Sequence, residues 1–443
     1  MYKKNKLIPY NKIEFFYNIL IFIPFISFVL GFYFNENSAG SGEFAADSSW
    51  IRENIKIFIQ NDLHTAIFHP ELFGNRTPLI YILNKLFNPF FNDFEKYRFC
   101  VFIFSLFGPI FFYQLLKLKF YKIDRKILLL ISSLVYLSPY YRTSAYWGLN
   151  ENYGIIAMIL SFFFLFKFLK SEKKKNINIV GIIFFSTLAI YFDQKFLIVP
   201  LICYIKLILS QKSLNFKIII SFTYAFLAIP YLYLFYKWGG IVPPATQISN
   251  PKTVTSIADI KKIYFIHIGY ASTLISFYLL PIILFTGDVN FIIKNLNRLI
   301  SDKINYLFFI LILVFFIYLI TSFNFAKFTI QDYWVGLGVV HKLTELLFNQ
   351  VIFREITTYF FFLCSFIVLL YYVNLSKLDG LYISYFIIIS LFLWPLMQEY
   401  FDPIILIISF ILFNSIKNLT RLNSFFLFVY TSVFLIIANY YYI

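Results

Sequence analysis

Charge is the scarcest property of this sequence. Asp, Glu, Lys and Arg make up 14% of its 443 residues, and only 22 are acids. Soluble domains are about 25% charged and about 45–50% apolar. Here 60% of residues are apolar and the mean hydropathy is +0.75. A soluble protein of this kind would carry more apolar surface than its core can bury, so that class is excluded. Disorder is excluded too, since disordered chains are poor in aromatics and 23% of this one is Phe, Trp or Tyr. The four histidines form no paired motif, which argues against a zinc enzyme. Cys100, Cys203 and Cys364 lie in or beside apolar runs, with no metal or disulfide spacing. No cleavable leader is expected, because the first apolar run lacks a small-residue cleavage site and leads into further apolar runs. No internal repeat is visible.

Long apolar runs are what remains. A span needs about 20 apolar residues, sometimes about 17. Thirteen candidates follow: 15–34, 99–116, 127–140, 153–169, 178–192, 196–210, 218–236, 263–286, 305–323, 357–373, 380–396, 403–416 and 424–442. The expected fold is an all-α polytopic bundle of about 11–13 spans, forming a single membrane domain over 1–443. The first outer loop, 35–98, is expected to carry interfacial helices. The short pair at 178–210 is split by Asp193-Gln194-Lys195, a break tolerated only where it is buried in protein or lines a cavity. With a cytoplasmic N-terminus (1–14), the inner loops hold 23 of the 38 Lys and Arg and six of the 22 acids. The other segments hold 15 and 16. This asymmetry is the positive-inside rule. It accounts for the net charge of +16 without a nucleic-acid partner. Large outer loops at 35–98, 237–262 and 324–356 make the outer face the working face.

Polar residues cluster on that face. Asp47 follows the first span and opens a helical stripe of Trp50, Ile51, Ile55, Phe58 and Ile59. It is read either as a helix cap or as a carboxylate at the membrane surface able to take a proton from an acceptor hydroxyl. Arg76 precedes Pro78 and a second short interfacial helix over 79–91. It suits a lipid-linked phosphate or a lipid headgroup. His69 is read as structural. The connection 138–154 is dense in aromatics and amides. Trp147 with Tyr146 would stack on a sugar ring, and Asn150, Glu151 and Asn152 would bind hydroxyls. The structural alternative is an Arg142–Glu151 ion pair. Asp193 and Lys195 either serve a site or pair with each other, and Gln194 lies between them. In Gln398-Glu399-Tyr400, Glu399 is expected to hold a sugar hydroxyl or a cation such as Arg142 or Arg76, with Tyr400 beside it. Asp402 is expected to cap the next helix, with Pro403 as its first residue. The amphipathic 324–356 loop is read as a passive interfacial helix or as a cap over the cavity.

Three of these features resemble the GT-C superfamily of membrane glycosyltransferases. They are Asp47 after span one with two interfacial helices and Arg76-Thr-Pro-Leu79, the broken helix pair tipped by Tyr191-Phe-Asp-Gln194, and the turn Gln398-Glu-Tyr-Phe-Asp-Pro403. The last looks like the Glu-x-Arg-Tyr-x-x-Pro element of the dolichyl-phosphate-glucose alpha-1,2-glucosyltransferases. The chain departs from the pattern where Ser48 follows Asp47, where Asp193 stands in place of an Arg, and where the late element lacks its Arg. The resemblance implies hexosyl transfer from a polyprenyl-phosphate sugar donor to a lipid-linked glycan acceptor of the cell envelope, on the outer or lumenal face. Asp47 would be the catalytic base. Arg76 and Arg142 would bind phosphate, and Trp147, Asn150, Glu151, Asp193, Gln194, Glu399 and Tyr400 would bind substrate. A divalent metal between Asp47 and Glu151 is open, and no other cofactor is implied. The alternatives are an O-antigen-type polysaccharide polymerase, in which Arg142 and Arg354 would dominate, and a lipid-linked oligosaccharide flippase or other transporter.

Overall fold

The computed structural model of the chain describes residues 10–39, 46–74, 76–170, 175–211, 213–249, 263–286, 293–294, 297, 303–332, 336–416 and 419–442. Among them there is helix and turn but no strand. In a lipid medium an isolated segment satisfies its own backbone N–H and C=O groups only as a helix. Six helices among the described residues are long and apolar enough to cross a membrane: Phe94–Lys119, Glu151–Lys170, Leu214–Trp238, His267–Phe285, Val351–Leu375 and Arg421–Tyr441. Shorter apolar helices are Tyr17–Tyr33, Asn176–Phe192 and Tyr306–Ser322. The chain is a membrane-embedded helical protein.

Four of the thirteen apolar runs are not single spans. Run 127–140 is divided between α7 (Arg125–Ser133), a 3-10 turn and α8 (Pro139–Trp147). The cause is local: the Ser138 side chain accepts the Tyr141 N–H, and Pro139 takes the first turn of α8. Run 196–210 begins in a 3-10 turn and continues as a 13-residue helix, Ile198–Ser210. Runs 380–396 and 403–416 carry helices of 14 and nine residues, Lys377–Ser390 and Ile404–Leu412. A nine-residue helix rises about 14 Å, half of a hydrocarbon core of about 30 Å.

The backbone groups into two compact units. Residues 1–67, 76–229 and 419–443 form the first; 68–75 and 230–418 form the second.

In the first unit α1 (Tyr10–Tyr33), α5 (Phe94–Ser105), α8 and the turn before it meet around Phe28, which is fully buried. Its ring lies 4.8 Å from that of Tyr136, 5.3 Å from Tyr146 and 5.4 Å from Phe102. Helices α9 (Glu151–Lys170) and α10 (Lys175–Phe192) pack along each other. At one end Lys126 bonds Glu14 at 2.5 Å and Arg421 bonds Asp124 at 2.9 Å. These residues come from segments that the charge count assigns to one side. The far end of α1 leads to Glu36, where segments assigned to the opposite side gather.

Helix α2 (Ala46–Gln60) buries Ser48, Ile51, Ile55 and Phe58 on one face. Trp50 and Ile59 of the expected stripe are not buried. The Lys85 ammonium of α4 (Leu79–Phe87) donates to the Phe58 and Asn61 carbonyls at the end of α2. A cation at a helix C-terminus complements the dipole there.

In the second unit α14 (His267–Thr286), α17 (Val351–Leu375) and α18 (Lys377–Ser390) pack side by side. For continuous numbering, α3 is Leu63–Ile67, α11 Ile198–Ser210, α12 Leu214–Trp238, α13 Pro244–Ser249, α15 Lys303–Ser322, α16 Gly338–Leu347, α19 Ile404–Leu412 and α20 Arg421–Tyr442. Buried Asp379 accepts the Asn414 and Ser415 backbone N–H groups at 3.2 and 3.4 Å and the Ser415 hydroxyl at 2.8 Å. One carboxylate thus holds the chain that follows α19.

Candidate functional site

Among the described residues of the first unit, a group of opposite charges surrounds Arg76. Its Nη2 donates to Glu151, the first residue of α9, and its Nε donates to Asp193 Oδ2 at 3.1 Å. Asp193 also faces Lys195 Nζ at 3.4 Å and accepts the Lys195 backbone N–H at 3.0 Å. The second oxygen of Glu151 accepts the Ser144 hydroxyl at 3.2 Å. Thr77 donates to the Tyr191 carbonyl, which ties the α4 entry to the end of α10. Burial raises the Asp193 pKa, but Lys195, Arg76 and the Lys195 N–H outweigh it, and the net displacement is downward. Asp193 is therefore a carboxylate held ionised.

Asp47 lies in the first turn of α2. Its charge reaches the Tyr81 hydroxyl, which also feels Arg76 and Glu151 and accepts a bond from Asn54 at 3.1 Å. Burial pushes Tyr81 up to about 12. Asp47, Tyr81, Arg76, Glu151, Asp193 and Lys195 thus share one neighbourhood. They come from four separate stretches of sequence. Gln194 opens the 3-10 turn between Asp193 and α11 and is half-buried. Among the described residues no three His, Cys, Asp or Glu side chains form a group able to hold a metal.

Arg142 belongs to a different centre. The expected Arg142–Glu151 pair does not form, because Glu151 takes Arg76. Arg142 pairs instead with Glu36, 106 residues away, through Nε at 2.7 Å and through Nη2. Its Nη1 reaches Ser27 Oγ at 3.3 Å and the Tyr136 carbonyl at 3.0 Å, and Nη2 also reaches the Ser27 carbonyl at 2.9 Å. An Arg has five N–H donors, and all five are occupied. Arg142 therefore offers nothing to a phosphate. Gly31 makes the pair possible. A Cβ there would lie 2.4 Å from both Arg142 Nη2 and Glu36 Oε2. Glu36 also accepts a bond from Asn439 at 3.2 Å.

The aromatic and amide residues of the 138–154 connection are structural in this geometry. Trp147 is 1% exposed, its N–H donates to the Glu36 carbonyl at 3.1 Å, and the Arg98 guanidinium lies 4.4 Å from its ring centroid. Tyr146 is fully buried and donates to the Phe28 carbonyl. Neither ring presents a face to a sugar. Asn150 donates to the Phe192 carbonyl at 2.7 Å. Asn152 donates to Ser105 and to the Tyr141 carbonyl, both at 2.9 Å.

In the second unit Pro403, rather than Asp402, holds the cap position of α19; Asp402 is buried beside it. The Trp394–Pro395 and Asp402–Pro403 bonds are cis. Gln398 pins the turn, accepting the Val339 N–H and donating to the Tyr278 hydroxyl, each at 3.1 Å. Glu399 and Tyr400 are half-buried.

Another polar group joins α16 and α17. Arg354 Nη2 donates to Glu345 at 3.1 Å, and His341 Nε2 lies 4.0 Å from the same carboxylate. Arg354 Nε and His341 Nδ1 are buried without hydrogen-bond partners. Burial lowers His341 to about 4. Part of the 324–356 loop, 333–335, lies outside the described residues.

Sequence reasoning did not select Glu36, Asn439, Arg98 or Gln398. For Glu36 a signal existed, as the first acid after the first span. Comparison of the chain with family models, with curated proteins and with solved structures finds no match.

Proposed function

We propose that this protein is a membrane glycosyltransferase of GT-C type. In this reading it moves a sugar from a polyprenyl-phosphate donor to a lipid-linked glycan or similar acceptor on the outer or lumenal face. The observation that carries the reading is the charge cluster beside the membrane helices. Arg76 is held between Glu151 and Asp193, with Lys195 and Asp47 in the same neighbourhood. A displacement at the sugar C1 needs a base for the acceptor hydroxyl and positive charge for the departing phosphate. Asp47 supplies the first. Arg76, about a quarter exposed, and Lys195 serve the second as hydrogen-bond donors, since Glu151 and Asp193 balance their charge. The acceptor oxygen bonds C1 as the C1–O bond to phosphate breaks, and the acceptor proton passes to Asp47. Glu151 and Asp193 position Arg76. Arg142, Trp147, Asn150 and Asn152 are not assigned to substrate.

The test is transfer by isolated membranes supplied with a radiolabelled polyprenyl-phosphate hexose. Asp47→Asn should lower transfer by ~10²–10⁴, the usual contribution of a general base. Near wild-type transfer by a normally inserted Asp47→Asn protein would remove Asp47 from the mechanism. One observation favours a second reading, the polymerase-type enzyme: buried Arg354 and His341 each keep an unpaired nitrogen. That reading expects Arg354→Gln to abolish glycan elongation while Asp47→Asn leaves it intact.

A further inference from the structure

In the first unit α10 and α12 are joined toward their middle and later turns. The Ser186 and Tyr224 hydroxyls share a bond at 2.9 Å, and the Tyr191 hydroxyl donates to the Leu227 carbonyl at 2.7 Å. Tyr204 of α11 also bonds Ser221 of α12 at 2.9 Å. In their earlier turns α10 and α12 are separated by a groove of about 350 Å³ that runs from Leu227 to Asn176 and Phe216. Ile179, Ile183 and Ile220, each at most 7% exposed, form its floor. Val180, Phe184 and Ile219 form its rims and are 53–66% exposed. In a membrane-embedded protein such rims meet hydrocarbon, so the groove opens sideways into the bilayer. Thr223 lines it too, but its hydroxyl donates to the Ile219 carbonyl of its own helix at 2.8 Å. The groove is thus apolar along its length. It lies along the early turns of α10, whereas the Arg76 cluster gathers at Asp193, just past the last.

Width and charge select the occupant. The lining spans residues 176–184 of α10 and 216–227 of α12, about 12–16 Å at the helical rise. Its volume over that length gives a cross-section of about 22–29 Å², a channel about 5 Å across. A helix is about 10–12 Å in diameter, or about 80–110 Å², so a helix of a second copy does not enter. A hydrocarbon chain, whose carbons need about 3.5–4.0 Å to their neighbours, does. The connections at the Asn176 and Phe216 end, 167–177 and 206–217, hold eight Lys and one acid, Glu172. Other inner-side segments of this unit pair cations with acids, Lys126 with Glu14 and Arg421 with Asp124; one acid cannot balance eight Lys. Lys217 follows the lining Phe216 and lies one turn from Ile220 on α12. Basic residues clustered at a membrane surface attract anionic headgroups and leave zwitterionic ones nearly indifferent. We infer that this groove seats one acyl chain of an anionic phospholipid, with the phosphate at the Asn176 and Phe216 end beside Lys217 and the two Lys-rich connections. The chain lies over Ile179, Ile183 and Ile220, and the lipid enters sideways from the bilayer. Binding here needs no sugar transfer and does not rest on the glycosyltransferase reading.

The test uses the full chain in phosphatidylcholine nanodiscs doped, in separate samples, with equal amounts of phosphatidylglycerol or phosphatidylethanolamine. Native mass spectrometry at rising collision energy reads the last lipid that each chain keeps. One phosphatidylglycerol per chain should survive, at least tenfold more often than phosphatidylethanolamine. Ile219→Trp fills the groove from one exposed rim and should lower that retention at least tenfold. Val180→Trp fills it from the other rim and should do the same, which keeps the test decisive if one variant folds poorly. Lys217→Gln leaves the groove open and should lower phosphatidylglycerol retention about fivefold, with phosphatidylethanolamine unchanged. Equal retention of the two lipids would overturn the anionic headgroup. Undiminished phosphatidylglycerol retention in the Trp variants would overturn the groove. A dimer of the chain that the Trp variants dissolve would put a second copy there in place of lipid.

Discussion

Arg142 and Arg76 show what it takes to bury a guanidinium at a membrane edge. Each is held by carboxylates from distant sequence, Glu36 for one and Glu151 with Asp193 for the other. Breaking a buried pair from one side strands a charge at a cost of about 3–5 kcal/mol, whereas replacing both partners by apolar groups is often near neutral. Arg142→Met should therefore lower thermal stability in detergent sharply, and Arg142→Met with Glu36→Leu should recover most of the loss. A double variant as unstable as the single one would mean that the bonds to the Ser27 and Tyr136 carbonyls matter more than the charge. Asp193 gives a pH test. Its folded pKa lies below the ordinary 3.8. Its contribution is thus full above about pH 4 and is lost as pH falls through the folded value. Asp193→Asn should flatten the acid limb of the stability curve below pH 4 and lower stability at pH 7; an unchanged acid limb would refute the pairing. The partners behind these predictions were not readable beforehand. Ion pairs 106 and 75 residues apart leave no local pattern, so the sequence supplied the charged residues but matched Arg142 to the wrong carboxylate.

Elements were more legible than pairs, because helix formation depends on residues close in the chain. The apolar runs fall on helix, and the short interfacial helix after Pro78 forms as Leu79–Phe87. Errors came where a turn interrupts an apolar run. Ser138-Pro139 ends one apparent span, and Leu391–Met397 replaces the last turns of another with non-helical chain. Hydropathy cannot see such breaks. Helix α16 carries a prediction of its own. Its His341 is buried neutral, with pKa lowered from 6.5 to about 4, and it faces Glu345 and Arg354 beside Lys342. Since the unfolded chain takes up this proton near pH 6.5, stability should decline as pH falls from 6.5 to 4 and gain no further loss from this group below. The slope is at most about 1.4 kcal/mol per pH unit. His341→Gln should remove that decline. Denaturation midpoints at pH 7, 5.5 and 4 would show it, and parallel curves for both proteins would disprove it. Gly336 precedes this helix at φ +108, and a Cβ there would lie 2.9 Å from the Leu396 carbonyl oxygen. Gly336→Ala should destabilise by ~1–3 kcal/mol, measurable as a lowered melting temperature.

At the scale of the whole molecule the informative quantity is the distribution of charge among loops. It is a sum over many residues, so it survives errors in any one helix boundary. The loops that the thirteen-run reading assigns to the inner side carry 23 basic and six acidic residues, the remainder 15 and 16. In the first unit, residues assigned to the inner side do meet at one end, as Glu14 with Lys126 and Asp124 with Arg421. In the second, Asp379 joins Ser415 at the boundary of two inner loops. This common placement holds whichever side is cytoplasmic; the positive-inside rule assigns the basic end inward. Labelling tests the assignment. With Cys100, Cys203 and Cys364 replaced, Ser41→Cys should react with a membrane-impermeant thiol reagent added outside. Ser171→Cys should react only after permeabilisation. Both positions lie outside the described residues, in the first outer loop and the Lys170–Lys175 run. The reverse labelling pattern would turn Asp47 and the Arg76 cluster toward the cytoplasm. A transferase working on the outer or lumenal face would then be excluded, because its base and its phosphate-binding cation would lie on the wrong side.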